Sequence, residues 1–135
     1  MKYPYTFINS TARWYLTHPW DFVDAVYSEM RAFIQRGYRG YSDSDTWALY
    51  YYISRILSGS LKQMADNAHG YPDSMTFEKW VRELRKNAKR FEDVVWYEDE
   101  GWEKDNLKRT LWHKIDKERQ KGFEFLNEWF NSLWD

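Results

Sequence analysis

Thr76-Phe77-Glu78-Lys79-Trp80-Val81-Arg82-Glu83-Leu84-Arg85-Lys86-Asn87-Ala88-Lys89-Arg90-Phe91-Glu92-Asp93-Val94-Val95 is the stretch that decides the fold. Phe77, Trp80, Val81, Leu84, Ala88, Phe91 and Val95 recur three and four residues apart, which lays them along one face of a helix. Thr76 stands where a side-chain cap belongs. Lys79, Arg82, Arg85, Lys86, Lys89 and Arg90 fall on the opposite side, with Glu83 the one acid among them. Such a helix buries its stripe only against other elements, so the flanking sequence must supply them.

Upstream, Tyr50, Ile53, Leu57, Leu61, Met64 and Ala68 repeat the same spacing, and His69-Gly70-Tyr71-Pro72 supplies a stop. Ser42 and Asp45 have the spacing of a capping box with Asp in the Glu position, so this helix is predicted to begin near Ser44. The run Leu49-Tyr50-Tyr51-Tyr52-Ile53 is rich in β-formers but lacks the alternation of a half-buried strand. Before it, Pro19 opens a helix whose face is Val23, Val26, Tyr27, Met30, Phe33 and Ile34, with Gly37 as its predicted end. Downstream, the helical phase fails at Trp96-Tyr97, and residues 96–105 read as an acidic linker. A last helix is predicted over 105–133, with Leu107, Leu111, Ile115, Leu126, Trp129 and Leu133 on one side. Trp112, Phe123, Phe130 and Trp134 widen that side, and Gly59 and Gly122 are weak points in their helices. Breaks are expected near Gly37, Gly70-Pro72 and Gly101. The expected fold is all-α, a single-domain four-helix bundle-like architecture over 1–135. It has an aromatic-rich core, and residues 1–16 form an apolar arm over the bundle.

The chain has 135 residues, 20 Lys+Arg and 21 Asp+Glu, for a net charge of −1. That balance argues against binding that rests on global positive charge. There is no cysteine, which removes disulfides, thiolate metal sites and thiol nucleophiles. His18, His69 and His113 lie far apart, no His-Glu-x-x-His occurs, and no phosphate-binding glycine loop follows a strand. The expectation is therefore a non-enzyme with no metal and no cofactor. No apolar run is long enough to span a bilayer and the first residues lack a secretory h-region, so a cytoplasmic protein is expected.

The most distinctive text is Arg36-Gly37-Tyr38-Arg39-Gly40-Tyr41-Ser42-Asp43-Ser44-Asp45. Arginine forks suit phosphate and tyrosine faces suit bases. Arg36, Tyr38, Arg39, Tyr41, Asp43, Asp45 and Trp47 are accordingly candidate ligand-binding residues, with His69 and Tyr71 as weaker ones. The competing reading is internal: Arg36 or Arg39 pairs with Asp43 or Asp45 and pins a turn. The six cations of residues 79–90 form either a nucleic-acid face or a solvated one. The 28 aromatics exceed what one small core needs, which points to self-association through the last helix, at Phe123, Phe130 or Trp134.

Arg39-Gly40-Tyr41-Ser42-Asp43-Ser44-Asp45-Thr46-Trp47, the His69-Gly70-Tyr71-Pro72 turn, Met75 and Trp80 together resemble a group of small uncharacterised bacteriophage proteins over about residues 30–95. The resemblance implies a setting in a bacterial host cytoplasm and no particular activity. The leading expectation is a homo-oligomeric, non-catalytic binding protein that sequesters an anionic, nucleotide-like signal of host defence. One alternative is a protein–protein inhibitor or accessory factor using the aromatic C-terminal helix. Another is a nucleic-acid binder using residues 79–90.

Overall fold

The computed structural model describes residues 19–105 and 109–133. All regular structure there is helical. Four long helices follow in order: α1 (Pro19–Arg39), α2 (Leu49–Asp66), α3 (Phe77–Trp96) and α4 (Thr110–Trp129). The chain divides into two compact units, Met1–Ala48 and Leu49–Asp135. The expected N-terminal arm, Leu107 and Trp134 lie outside the described residues.

In the first unit, α1 runs through Gly37 to Arg39, and the glycine that follows it is Gly40, three residues beyond the expected stop. Gly40 takes a left-handed φ of 84° and donates its N–H to the Arg36 carbonyl at 2.9 Å. A residue with a Cβ is strained in that conformation, so Gly40, not the expected Gly37, is the C-cap glycine. A short 3₁₀ turn, Ser44–Thr46, follows, and α2 begins at Leu49 rather than near Ser44.

In the second unit, α2 and α3 lie antiparallel. Tyr51 at the start of α2 donates to Asp99 at 3.0 Å, beyond the end of α3, while Arg85 donates to Asp66 at the end of α2. Thr76 caps α3 as expected, its Oγ1 accepting the Lys79 N–H. Leu61 and Ala65 of α2, Trp80, Leu84, Ala88 and Phe91 of α3, and Phe125 of α4 form the main core. The Trp80 ring lies 5.8 Å from Phe125 and 5.9 Å, edge-on, from Trp129. On α2 the buried positions are Ser54, Leu61 and Ala65, whereas Tyr50 and Ile53 are exposed. The predicted stripe is thus rotated toward small residues, which let α2 come close to α3. Gly122, expected as a weak point, is instead a close-packing position: a Cβ there would meet the Phe91 ring at 3.0 Å.

The expected acidic linker is helical. Residues Tyr97–Gly101 form one π turn and Trp102–Lys104 a further α turn, so the helical path continues from Phe77 to Lys104. The phase failure at Trp96-Tyr97 marks this π turn, whose wider loop shifts every later side chain around the axis. Gly101 sits within it, where a Cβ would meet Trp96 at 2.9 Å and Tyr97 at 3.0 Å. Tyr97 joins Val94 and Ile115 in a second core cluster and lies 5.1 Å from Trp112. Asp105 does not open the last helix; it caps it from a distance. Its buried carboxylate accepts from Thr110 Oγ1 (3.0 Å), Leu111 N (3.1 Å), Trp112 N (3.4 Å) and Tyr97 Oη (3.1 Å). The Leu111 and Trp112 N–H groups are among the orphan amides that a helix start leaves open. Burial alone would raise the Asp105 carboxyl, but the donors outweigh it and hold it below the ordinary carboxylate range.

Candidate functional site

The Arg36–Asp45 segment closes on itself through reciprocal pairs. Ser42 N donates to Asp45 Oδ2 at 2.7 Å and Asp45 N donates to Ser42 Oγ at 3.3 Å, the two halves of a capping box. Arg36 adds a bidentate contact, Nε to Asp45 Oδ2 at 2.9 Å and Nη2 to Asp45 Oδ1 at 2.6 Å. Asp45 keeps only 8% of its surface exposed. The Arg36 guanidinium holds its carboxyl well below the usual carboxylate range, against the effect of burial.

Asp43 is the second hub. Arg39 and Arg31 both pair with it, Gln35 Nε2 donates to it at 2.7 Å, and its own N–H donates to Gln35 Oε1 at 2.9 Å. The bond from Arg39, and then that from Gln35, lowers its carboxyl. Arg39 also donates through Nε to the Tyr41 carbonyl at 2.9 Å and lies 4.6 Å above the Tyr41 ring. So the cation–tyrosine contact that suits a ligand is made within the loop itself. Both arginines have internal carboxylate partners, and a phosphate bound here would have to replace them.

Tyr38 and Trp47 are different: each is 93% exposed. His69 and Tyr71 belong to the second unit, where the Tyr71 ring stacks edge-on with Phe77 at 6.1 Å. The structure therefore brings Arg36, Arg39, Tyr41, Asp43 and Asp45 together and leaves Tyr38 and Trp47 in solvent.

The cations of α3 are largely neutralised. Arg85 pairs with Asp66, Lys86 with Glu83, Lys89 with Glu92 and Asp93, and Arg90 with Glu118. Lys79 lines a cleft of about 430 Å³ with Arg90, Lys121, Glu83, Glu124 and Glu128, beside Met75, Phe125 and Trp129. Three cations and three acids offset one another there. Sequence reasoning missed this cleft because its lining comes from α3, α4 and the preceding turn, with no local pattern. Among the described residues, no group of three or more His, Asp or Glu side chains is placed to hold a metal ion. No helix among them is long and apolar enough to cross a membrane.

The chain matches no family model, no curated protein and no solved structure.

Exposed apolar side chains occur both near the C-terminus and along α1. Near the C-terminus, Trp112 packs in the second core cluster, Phe123 stacks on Phe91 at 5.2 Å yet stays partly exposed, and Phe130 is 73% exposed. On α1 the whole predicted stripe is exposed: Val23, Val26, Tyr27, Met30, Phe33 and Ile34, with Tyr27 at 68% and Phe33 at 77%. Ala32 is the one buried residue of α1, and it lies on the side that carries Gln35, Arg36 and Arg39 toward the loop. The opposite side is the apolar one.

Proposed function

We propose that this chain is a non-catalytic binding protein that docks a protein partner on the apolar face of α1, in the setting its bacteriophage-like text suggests. The observation that carries the reading is the exposure of all six stripe residues along one helix. An amphipathic helix normally hides such a stripe, and contiguous exposed apolar surface marks interaction sites. The internally paired arginines support a scaffold role for the loop, which fixes the polar side of α1 and turns the apolar side outward.

The test is the double variant Tyr27→Glu/Phe33→Glu. Surface changes of this kind alter stability by no more than about 0.5 kcal/mol. The expected result is an unchanged thermal midpoint, with loss of association in sedimentation and of binding to a hydrophobic dye. A large fall in the midpoint would place the stripe in a core and defeat the reading.

A second reading keeps the nucleotide-like ligand, supported by the nearly complete exposure of Tyr38 and Trp47 in a segment that also carries Arg36 and Arg39. It requires a phosphate to take Arg39 from Asp43. Calorimetric titration of cyclic and linear nucleotides into the wild type and into Arg39→Ala decides it, since binding lost in the variant without loss of stability is the result it needs.

A further inference from the structure

We infer that the cleft between α3 and α4 binds a small zwitterion with an apolar side chain, an amino acid or short peptide whose ammonium group meets Glu124 and Glu128 and whose carboxylate meets Lys79. The cleft lies wholly in the second unit, so it is separate from the docking face of α1 and stands or falls without it.

The two helices run antiparallel: Trp80 meets Phe125 and Trp129, while Arg90, further along α3, meets Glu118, earlier on α4. Their seam leaves about 430 Å³, within the range of about 300–1,000 Å³ that small-molecule sites occupy. Phe125 is the buried apolar residue of the lining, and Met75 and Trp129 are half-buried. Trp80 packs against both the Phe125 and the Trp129 ring, so the core sets this apolar floor before any ligand arrives. A floor formed in advance spares a ligand the cost of ordering it.

The charged groups around the floor are of two kinds. Glu118 accepts from both Arg90 and Lys121, and Lys86 reaches Glu83 at 3.8 Å, so the fold itself occupies three of the charges in the lining. Lys79, Glu124 and Glu128 differ. Among the described residues none of the three makes an ion pair, although Lys79 on α3 and the two glutamates on α4 line the same cleft. Elsewhere α4 pairs its acids along the helix, Asp116 with Arg119 and Glu118 with Lys121. Glu124 and Glu128, one turn apart, set like charges side by side, which is unfavourable in the helix alone. An ammonium group between them removes the repulsion.

Opposite charges on facing walls over an apolar floor match a zwitterion. Its ammonium donates to the two carboxylates, its carboxylate accepts from Lys79 Nζ, and its side chain covers Met75, Phe125 and Trp129. Two acids against one free cation make the ammonium the stronger anchor. A phosphate or nucleotide would meet Glu124 and Glu128 and be repelled. The three free side chains are exposed, so water and salt screen them, and the expected affinity is only about millimolar for an amino acid.

The test uses the full chain at neutral pH, with ligand-observed NMR and calorimetry. The probes are phenylalanine, the dipeptide phenylalanyl-leucine, N-acetyl-phenylalanine, which lacks the ammonium, and phenylalanine amide, which lacks the carboxylate. The expected result is binding of at least one of the two zwitterions, and their ranking tells a free amino acid from a peptide. The N-acetyl compound should bind about ten-fold more weakly or not at all, since it loses a charged hydrogen bond and adds repulsion. Lys79→Met should weaken the zwitterion and leave the amide unchanged, whereas Glu124→Gln/Glu128→Gln should weaken both. These are exposed positions, so the thermal midpoint should hold in each variant. No binding of either zwitterion at millimolar concentration would overturn the inference. Equal binding of all four probes, or wild-type affinity in both variants, would also overturn it, because the cleft would then select only apolar bulk. The Tyr27→Glu/Phe33→Glu variant should bind the zwitterion as wild type does, which keeps failure of the docking reading distinguishable from failure here.

Discussion

Arg36 and Asp45 are the residue pair on which the loop turns. The guanidinium fork satisfies both carboxylate oxygens, and the Ser42 amide supplies a further donor to Oδ2. Truncating either partner strands the other. We expect Arg36→Ala and Asp45→Ala each to cost about 1–2 kcal/mol, with the double variant costing clearly less than their sum. Thermal or urea unfolding of the four proteins measures this coupling; additive costs would show that the two side chains act separately. Acid should act on the same pair. The folded carboxyl lies below the ordinary aspartate value of about 3.9, so the unfolded chain takes up the proton first as pH falls. The stabilisation is full above about pH 4 and is lost as pH drops toward the lower folded value. Asp45→Asn should therefore flatten the midpoint-versus-pH profile below pH 4 relative to wild type. The Ser42–Asp45 cap was legible because a capping box is a local spacing. The choice between Arg36 and Arg39 as its partner was not, since that depends on where α1 ends, and the expected end at Gly37 falls short of the observed one at Arg39.

Among the elements, α3 and its Thr76 cap were the most legible, and the end of α3 the least. A π turn has no composition of its own; it shows in sequence only as a loss of phase, which is also how a linker begins. The cap of α4 escaped for a related reason. Asp105 reaches Thr110, Leu111 and Trp112 across five to seven residues, outside the three-residue spacing that cap patterns describe. The glycines give an element-scale test. Gly59 is exposed within α2 and a Cβ there meets nothing, so Gly59→Ala should stabilise by up to about 1 kcal/mol through helix propensity alone. Gly122→Ala gains the same propensity, but its methyl presses on Phe91, which is fully buried and stacked edge-on against Phe123. That ring has little room to yield, and overpacking of this kind costs about 1–3 kcal/mol. We expect opposite shifts in thermal midpoint for the two variants; a stabilising Gly122→Ala would mean that α4 moves aside freely.

At the scale of the molecule, the core clusters draw their members from Leu57 onward, all within the second unit. A unit with its own core should fold alone. The fragment 49–135 is expected to keep a cooperative thermal transition and its helicity; a non-cooperative melt would show that its core is incomplete. The same aromatic packing has an optical consequence. Trp80 and Trp129 sit 5.9 Å apart and edge-on, and Tyr97 lies tilted against Trp112 at 5.1 Å. Ring transitions so close and so oriented couple, and they add circular-dichroism bands where backbone helix is usually read. Helix content taken from ellipticity should therefore deviate from that of α1 to α4, while the infrared amide band, which senses carbonyls rather than rings, should agree with it. Trp129→Leu removes one coupled partner and should change the ellipticity by more than any real loss of helix.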